Sequence, residues 1–336
     1  MKLKAIFAGM TLLAVLSCGC AASTEKKAEP QAAKTTPAAS VSKSQKTAKV
    51  YYIKTINPES LTKVYKAMQW QPQGKVAIKL STGEPPKSNY LRPELIKPLV
   101  QELKGTIVEC NTAYGGSRAD TTSHLQVAKD HGYTTIAQVD IQDAEGYMTL
   151  PVQGGKRLKE NYVGSHFKNY DSYLVLSHFK GHAMAGYGGA IKNISIGLGT
   201  GKLGKVWIHS GGTSKTNAWG GEQIAFNEAM AEAGKSVSDY LGNGKKIAYV
   251  NVMNRLSVDC DCNGNPAEPD LHDMGILAST DPVALDQACL DLVYAQKDGK
   301  GKALVNRINS HQGLHTVEHG EAIGLGTRKY ELVEVK

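Results

Sequence analysis

Residues 257–273 read SVDCDCNGNPAEPDLHD, two cysteines one residue apart among carboxylates and a histidine. In an extended segment residues i and i+2 share a side. Cys260 and Cys262 would then present both sulfurs on one face, and Asp259 and Asp261 would lie on the other. Two thiolates on one face suit zinc, copper(I) or an iron–sulfur cluster. A disulfide across an extended Cys-X-Cys is awkward, because its Cα atoms stand ~7 Å apart, at the upper limit for a bridge. A redox pair therefore needs a turn here, which Gly264 and Pro266 do not exclude. A turn that simply holds two inert thiols is the third reading.

A second constellation lies at residues 176–193, LSHFKGHAMAGYGGAIKN. His178 and His182 are four apart, a spacing that would put both rings on one helical face. Gly181 and the glycines after it argue against a regular helix, although a loop can also bring two such rings together. The glycine run permits close backbone approach to a ligand, and Lys180 and Lys192 are candidate anion or proton partners. The bland alternative is a polar strand-to-loop transition with hydrogen-bonded histidines.

Other motifs carry less. GLGTGKLG (197–204) has the glycine spacing of a dinucleotide fingerprint, but the segment after it, KVWIHSGG, does not read as a helix, and Lys202 precedes Leu203 rather than Ser or Thr. His311, His315 and His319 repeat every four residues and read as a solvated helix end more readily than as a metal stripe. Cys110 and Cys289 sit in apolar surroundings and read as structural thiols. Asp270, Asp273, Asp281 and Asp286 are weaker candidates, with Asp281 placed to cap a helix that Pro282 begins.

These residues need a frame. Strand-like runs at 49–55, 75–82, 106–113, 134–140, 171–179 and 245–256 are interleaved with helical patterns at 58–70, 92–105, 115–133, 220–241 and 281–296. Such alternation predicts an α/β fold, a mostly parallel sheet with helices on both faces. Ligands of open α/β sheets bind beyond the carboxyl ends of the strands. Four polar, Gly-rich loops follow predicted strands, STGEPPKSNY, NTAYGGSRAD, SHFKGHAMAGYGGAIKN and SVDCDCNGNP, and are expected to converge on that edge.

The N-terminus sets the expected compartment. A short basic start and the apolar run AIFAGMTLLAVLS read as a secretory signal over residues 1–20. Val15-Leu16-Ser17-Cys18 resembles a bacterial lipobox, which makes Cys18 the expected lipidation site, with Cys20 as its rival. Residues 21–48 hold little to bury and read as a tether, leaving 49–336 as a single α/β domain, with two lobes as the alternative division. The net charge of +8 follows the same division: residues 1–49 carry eight lysines and two glutamates, which leaves +2 for the rest. That balance gives no reason to expect nucleic acid.

The His/Lys/Gly loop, Cys-Asp-Cys followed by DMGILASTDPVALDQA, and the ending GLGTRKYELVEV together resemble the bacterial and archaeal domain of unknown function 362 family, over roughly residues 50–336. Many of its members carry added ferredoxin-type four-cysteine motifs, but the corresponding stretch here, HSGGTSKTNAWGGEQIAFNEAMAEAG, has no cysteine. A cluster on Cys260 and Cys262 alone lacks ligands, so His178, His182, an acidic residue or a second chain would complete the shell. The combined reading is an exported, membrane-anchored lipoprotein of the cell envelope. Cys260, Cys262, His178 and His182 would bind a transition metal or cluster, Asp259 and Asp261 would support them, and Lys180 and Lys192 would serve catalysis. A small molecule or redox partner is implied. A metal-dependent enzyme, a binding lipoprotein and a purely structural cysteine clamp are the competing classes.

Overall fold

The computed structural model describes residues 47–297 and 299–336. The expected signal, Cys18 and nearly all of the tether lie outside the described residues. Among those described, no helix is long and apolar enough to cross a membrane.

The chain runs β1 (Ala48–Ile53), α1 (Pro58–Ala67), β2 (Val76–Lys79), α2 (Pro93–Glu102), β3 (Thr106–Glu109), α3 (Thr121–Asp130), β4 (Val139–Ile141), β5 (Tyr147–Pro151), β6 (Glu160–Gly164) and β7 (Ser172–His178). It continues through β8 (Lys180–His182), β9 (Gly186–Gly188), α4 (Ala190–Ser195), α5 (Gly204–His209), α6 (Gln223–Tyr240), β10 (Ile247–Met253) and β11 (Gly275–Ser279). It ends with α7 (Pro282–Tyr294), α8 (Lys302–Ser310), α9 (Leu314–Ala322) and β12 (Tyr330–Glu334). Eight strands form one sheet in the order β12-β1-β11-β10-β7-β2-β3-β4. Every adjacent pair in it is parallel except the two that involve β11. The expected mostly parallel α/β fold is therefore present.

Both faces are covered, which explains why β7 and β10 are buried at every position and read as continuous apolar runs. Successive residues still point to opposite faces. Leu174 and Leu176 pack with Leu61 of α1 and Ile96 of α2, whereas Tyr173 and Val175 pack with Ile191 of α4, Val237 of α6 and Val283 of α7. Local chemistry starts the helices: Asn57, Asp120 and Asp281 each accept a backbone N–H of the turn that follows.

Three segments depart from expectation. Residues 133–135 form a 3-10 turn, fixed by the Tyr133 hydroxyl donating to Leu91 O (2.6 Å), and the strand starts only at Val139. KVWIH is helical after all, within α5. The dinucleotide context still fails, because the helix α4, not a strand, leads into those glycines. β11 gives no alternating pattern because both its faces are buried.

The Cys-X-Cys loop, residues 254–274, joins β10 to β11 and is docked on two sides. Gly181 of β8 donates to Ser257 O (2.8 Å), and a Cβ there would stand 2.3 Å from Val258 O. On the other side Glu84 N donates to Asp261 O (2.7 Å) and Lys87 N to Gly264 O (2.9 Å). A Cβ on Gly264 would lie 2.0 Å from Pro85 O, so only glycine admits this approach.

Candidate active site

A cavity of about 310 Å³ opens where β2, β3 and β7 end. All four expected loops reach it, contributing among others Ser81, Arg118, His182 and Cys260. The helices α4 and α5 add Lys192 and Lys205 to the wall, and Trp219, half exposed, stands at its margin.

Asp261 organises one side. Its two carboxylate oxygens meet His178 Nδ1 (2.7 Å) and Lys180 Nζ (2.7 Å), all three side chains being buried. Burial alone would raise the Asp261 carboxyl, but Lys180 and His178 outweigh it and hold it well below the usual carboxylate range. The other ring nitrogen, His178 Nε2, faces the carbonyl of Asn254 at 2.6 Å. Both nitrogens of His178 thus face oxygen atoms of the protein, and neither is turned to the cavity as a free donor or acceptor. Asp259 points elsewhere, accepting from Ala267 N (3.0 Å) and lying 3.7 Å from Arg307.

His182 is held in the opposite sense. Its Nδ1 accepts the backbone N–H groups of Met184 (3.1 Å) and Ala185 (2.9 Å). Burial, reinforced by Lys192 and His209, pushes the ring well below its ordinary value, so it is neutral with its proton on Nε2. The geometry is that of an uncharged imidazole serving as hydrogen-bond donor, a role suited to polarising a carbonyl or anionic oxygen.

Cys260 and Cys262 are joined as a disulfide with Cα atoms 5.3 Å apart. The segment is a turn, not the extended run expected from sequence, and this removes the geometric objection to a bridge. His182, Cys260 and Cys262 place one donor atom each within 4.8 Å of one another. Their fit to a metal is conditional on redox state: the bonded sulfurs offer no thiolate, and His182 has spent Nδ1 on backbone amides. Once reduced, the two sulfurs supply a pair of soft donors. His178, expected to join them, is not among these donors, and both its nitrogens are engaged elsewhere. Cys110 and Cys289 are buried free thiols, both pushed up by burial, and neither belongs to it.

The wall is strongly cationic. Lys79 pairs with Glu109 (3.0 Å), and Arg118 pairs with Glu84 (2.9 Å) and Glu109 (3.5 Å). Burial would raise Glu109, but Lys79, His124 and Arg118 hold it at about 2. Lys205, only 6% exposed, donates to Gly199 O (2.6 Å), and no carboxylate lies within pairing distance of it among the described residues. Lys192 has neither a carboxylate nor a hydrogen-bond partner at Nζ among the described residues, and part of its surface remains open to the cavity. Desolvation, with Lys180 close by, pushes its amine down to about 7.

Of the residues singled out from sequence, His182, Cys260, Cys262, Asp261, Lys180, His178 and Lys192 all line this cavity. Lys79, Glu109, Arg118, Lys205 and His209 line it too and were missed. A usable signal existed for Lys79 and Glu109: each is a charge closing an otherwise apolar strand at the carboxyl edge. The four weaker carboxylates are structural. Asp270 accepts Ala303 N, Asp273 accepts Arg255 N, and Asp281 caps α7.

Asp286 does more, because it fixes the helix that carries Lys192. It accepts Ala190 N (2.8 Å), Ile191 N (3.0 Å) and Asn251 Nδ2 (2.7 Å), and burial pushes its carboxyl up to about 6. Asp286→Ala leaves three buried donors without an acceptor and is expected to cost about 3–5 kcal/mol by urea unfolding, with Asp286→Asn costing less. A loss below about 1 kcal/mol would mean that α4 is positioned by packing alone.

The family described as Domain of unknown function (DUF362) matches residues 76–291. Among curated proteins none matches. Among solved structures, the lactate racemase apoprotein from Thermoanaerobacterium thermosaccharolyticum is similar at 13% identity and a TM-score of 0.43, over 73% of this chain and 57% of that one. A crystal structure of a protein from Thermotoga maritima is similar at 9% identity and a TM-score of 0.37, over 81% of this chain and 61% of that one. The chain thus spans about three fifths of the length of each.

Proposed function

The chain belongs to the DUF362 family, and from that premise we propose that its cavity takes a small carboxylate- or phosphate-bearing molecule beside a thiol–disulfide pair, in an exported protein anchored by lipid. The observation that carries this reading is the pair of unneutralised lysines, Lys192 and Lys205, in the wall of one cavity. Retaining such cations away from bulk water is costly unless a ligand supplies the counter-charge. The cavity volume suits a metabolite-sized ligand. His182 adds a neutral donor, which stabilises charge that develops on an oxygen without competing for a proton.

Titration of the full mature chain with small mono- and dicarboxylates and with inorganic phosphate tests the reading, followed by the fluorescence of Trp219 and by the unfolding midpoint. At least one probe is expected to bind in the micromolar range and to lose at least about tenfold in affinity in Lys192→Met or Lys205→Met. Binding only in the millimolar range, or equal binding by both variants, would sink the proposal.

The pair Cys260–Cys262 gives the site its second capability. In an oxidising compartment it rests as the disulfide. Reduction frees two sulfurs beside Lys180, Lys192 and a neutral His182, a pair of soft donors for a thiophilic ion such as copper(I) or zinc. A redox partner that reduces the pair would therefore control metal binding. Metal analysis of anaerobically reduced protein, beside Cys260→Ser/Cys262→Ser, is expected to show stoichiometric metal only in the unsubstituted chain. Iron with visible charge-transfer bands would instead identify a cluster completed by a second chain.

Export and anchoring rest on the leader and on Cys18. Labelling of cells with a fatty-acid analogue is expected to mark the chain and to fail for Cys18→Ser. Persistence of label in that variant would transfer the anchor to Cys20.

A further inference from the structure

Away from the cavity, two packed helices bring together a different set of ligating side chains. The helix α6 presents Glu228 and Glu232, four residues apart, and α9 presents His315 and His319 at the same spacing. Spacing of four places each pair on one helical face. His315 Nε2 lies 3.3 Å from Glu228 Oε1, and His319 Nε2 lies 2.9 Å from Glu232 Oε1. One donor atom each from Glu228, His315 and His319 falls within 4.8 Å of the others.

We propose that Glu228, His315 and His319, with Glu232 beside them, bind one divalent transition ion of the zinc type, at a site separate from the cavity. Zinc bonds of ~2.0–2.1 Å in tetrahedral arrangement set ligand atoms ~3.3 Å apart. His315 Nε2 and Glu228 Oε1 already stand at that separation, while His319 Nδ1 lies 4.0 Å from Glu228 Oε1 and closes by side-chain rotation, its Nε2 staying on Glu232. Two imidazoles with carboxylate oxygens form a borderline donor set that suits zinc, cobalt or nickel rather than calcium or magnesium. Both donors of each kind ride on helices, which keeps the backbone spacing fixed. Beyond the ion, His315 Nδ1 lies 3.7 Å from Glu318, a carboxylate placed to orient the ring from behind.

Access and charge are consistent with this. Glu228 and Glu232 are buried, while His315 keeps 28% of its side chain in solvent and forms the entry side. The carboxylates are at present neutralised by the loop before β6: Lys156 and Arg157 bind Glu228 at 2.7 and 2.5 Å, and the backbone amides of Lys156, Arg157 and Leu158 all reach Glu232. Lys156 is 59% exposed in its side chain and can swing into water when an ion takes its place. His311, the third member of the histidine stripe, is turned away to Gln223 and takes no part.

Calorimetric titration of the full mature chain with Zn²⁺, in its oxidised state, isolates this site because the bonded Cys260 and Cys262 then offer no thiolate. One equivalent is expected to bind at micromolar Kd or tighter. His315→Gln/His319→Gln is expected to lose more than about 100-fold, and Cys260→Ser/Cys262→Ser to bind as the unsubstituted chain does. Co²⁺ supplies a measurement that needs no substitution: tetrahedral d–d bands without thiolate charge transfer are expected. Absence of Zn²⁺ binding below millimolar, unchanged binding in the histidine variant, or a thiolate band on Co²⁺ loading would overturn the proposal.

Discussion

Lys192→Met is expected to make the protein more stable and its cavity unable to hold an anion. The stabilisation should reach about 1–2 kcal/mol near neutral pH, in urea unfolding without ligand. Its cause is the amine that desolvation and Lys180 push down to about 7. In the unfolded chain that amine binds its proton up to an ordinary lysine pKa, so between about 7 and that value the unfolded state holds more protons than the folded one. Stability of the unsubstituted protein consequently rises with pH across the window, and at or below 7 the folded chain carries the full cost of the charge. Methionine removes the dependence, so the advantage of the variant should shrink as pH rises. Anion binding has the opposite dependence: the charge that attracts the ligand exists below about 7 and is lost above it. Lys192→Arg, which stays charged, should flatten that profile. A destabilised Lys192→Met would show instead that this lysine supports the fold.

Asp261→Ala carries the second large effect, a loss of about 3–5 kcal/mol. It leaves Lys180 and His178 facing each other with no anion between them, in a wall where the remaining carboxylate, Glu109, already serves Lys79 and Arg118. Because the folded carboxyl is held far below its ordinary range, its contribution is complete above the unfolded value of about 4 and declines as pH falls below it. Asp259→Ala, only two residues away but on the loop's outer side, should cost under about 1 kcal/mol. Equal losses for the two aspartates in parallel denaturation curves would refute the assignment of Asp261 as the organising anion.

The contrast between these aspartates shows where sequence reading succeeds and where it stops. Alternation of strands and helices, and the rule that loops after parallel strands meet, suffice to predict the fold and to collect His178, Lys180, His182, Lys192 and the cysteines in one place. Those are one-dimensional patterns tied to local geometry. Which of Asp259 and Asp261 turns inward depends on the turn at Cys260–Cys262, and that turn is set by Gly264 against Pro85 and by Gly181 against Val258, contacts between segments distant in sequence. The contacts that occupy both nitrogens of His178 but only Nδ1 of the neutral His182 likewise depend on residues brought close by the fold. Lys205 and His209 were hidden for a related reason: their short helix α5 follows a glycine-rich turn that conceals its period.

β11, the strand that runs against its neighbours, gives the cysteine loop mechanical independence. Met253 and Gly275 face each other across the β10–β11 ladder, so the loop leaves and re-enters the sheet at one rung. Its contour length does not enter the spacing of any strand, unlike a crossover that must carry the chain over a sheet face to reach a parallel neighbour. Opening or closing the sulfur–sulfur bond can therefore rearrange the bay between those two ends while the eight-stranded frame bears none of the load. Hydrogen exchange in oxidised and reduced protein should differ at residues 254–274 and at the segments docked on them, with β7 and β10 protected alike in both.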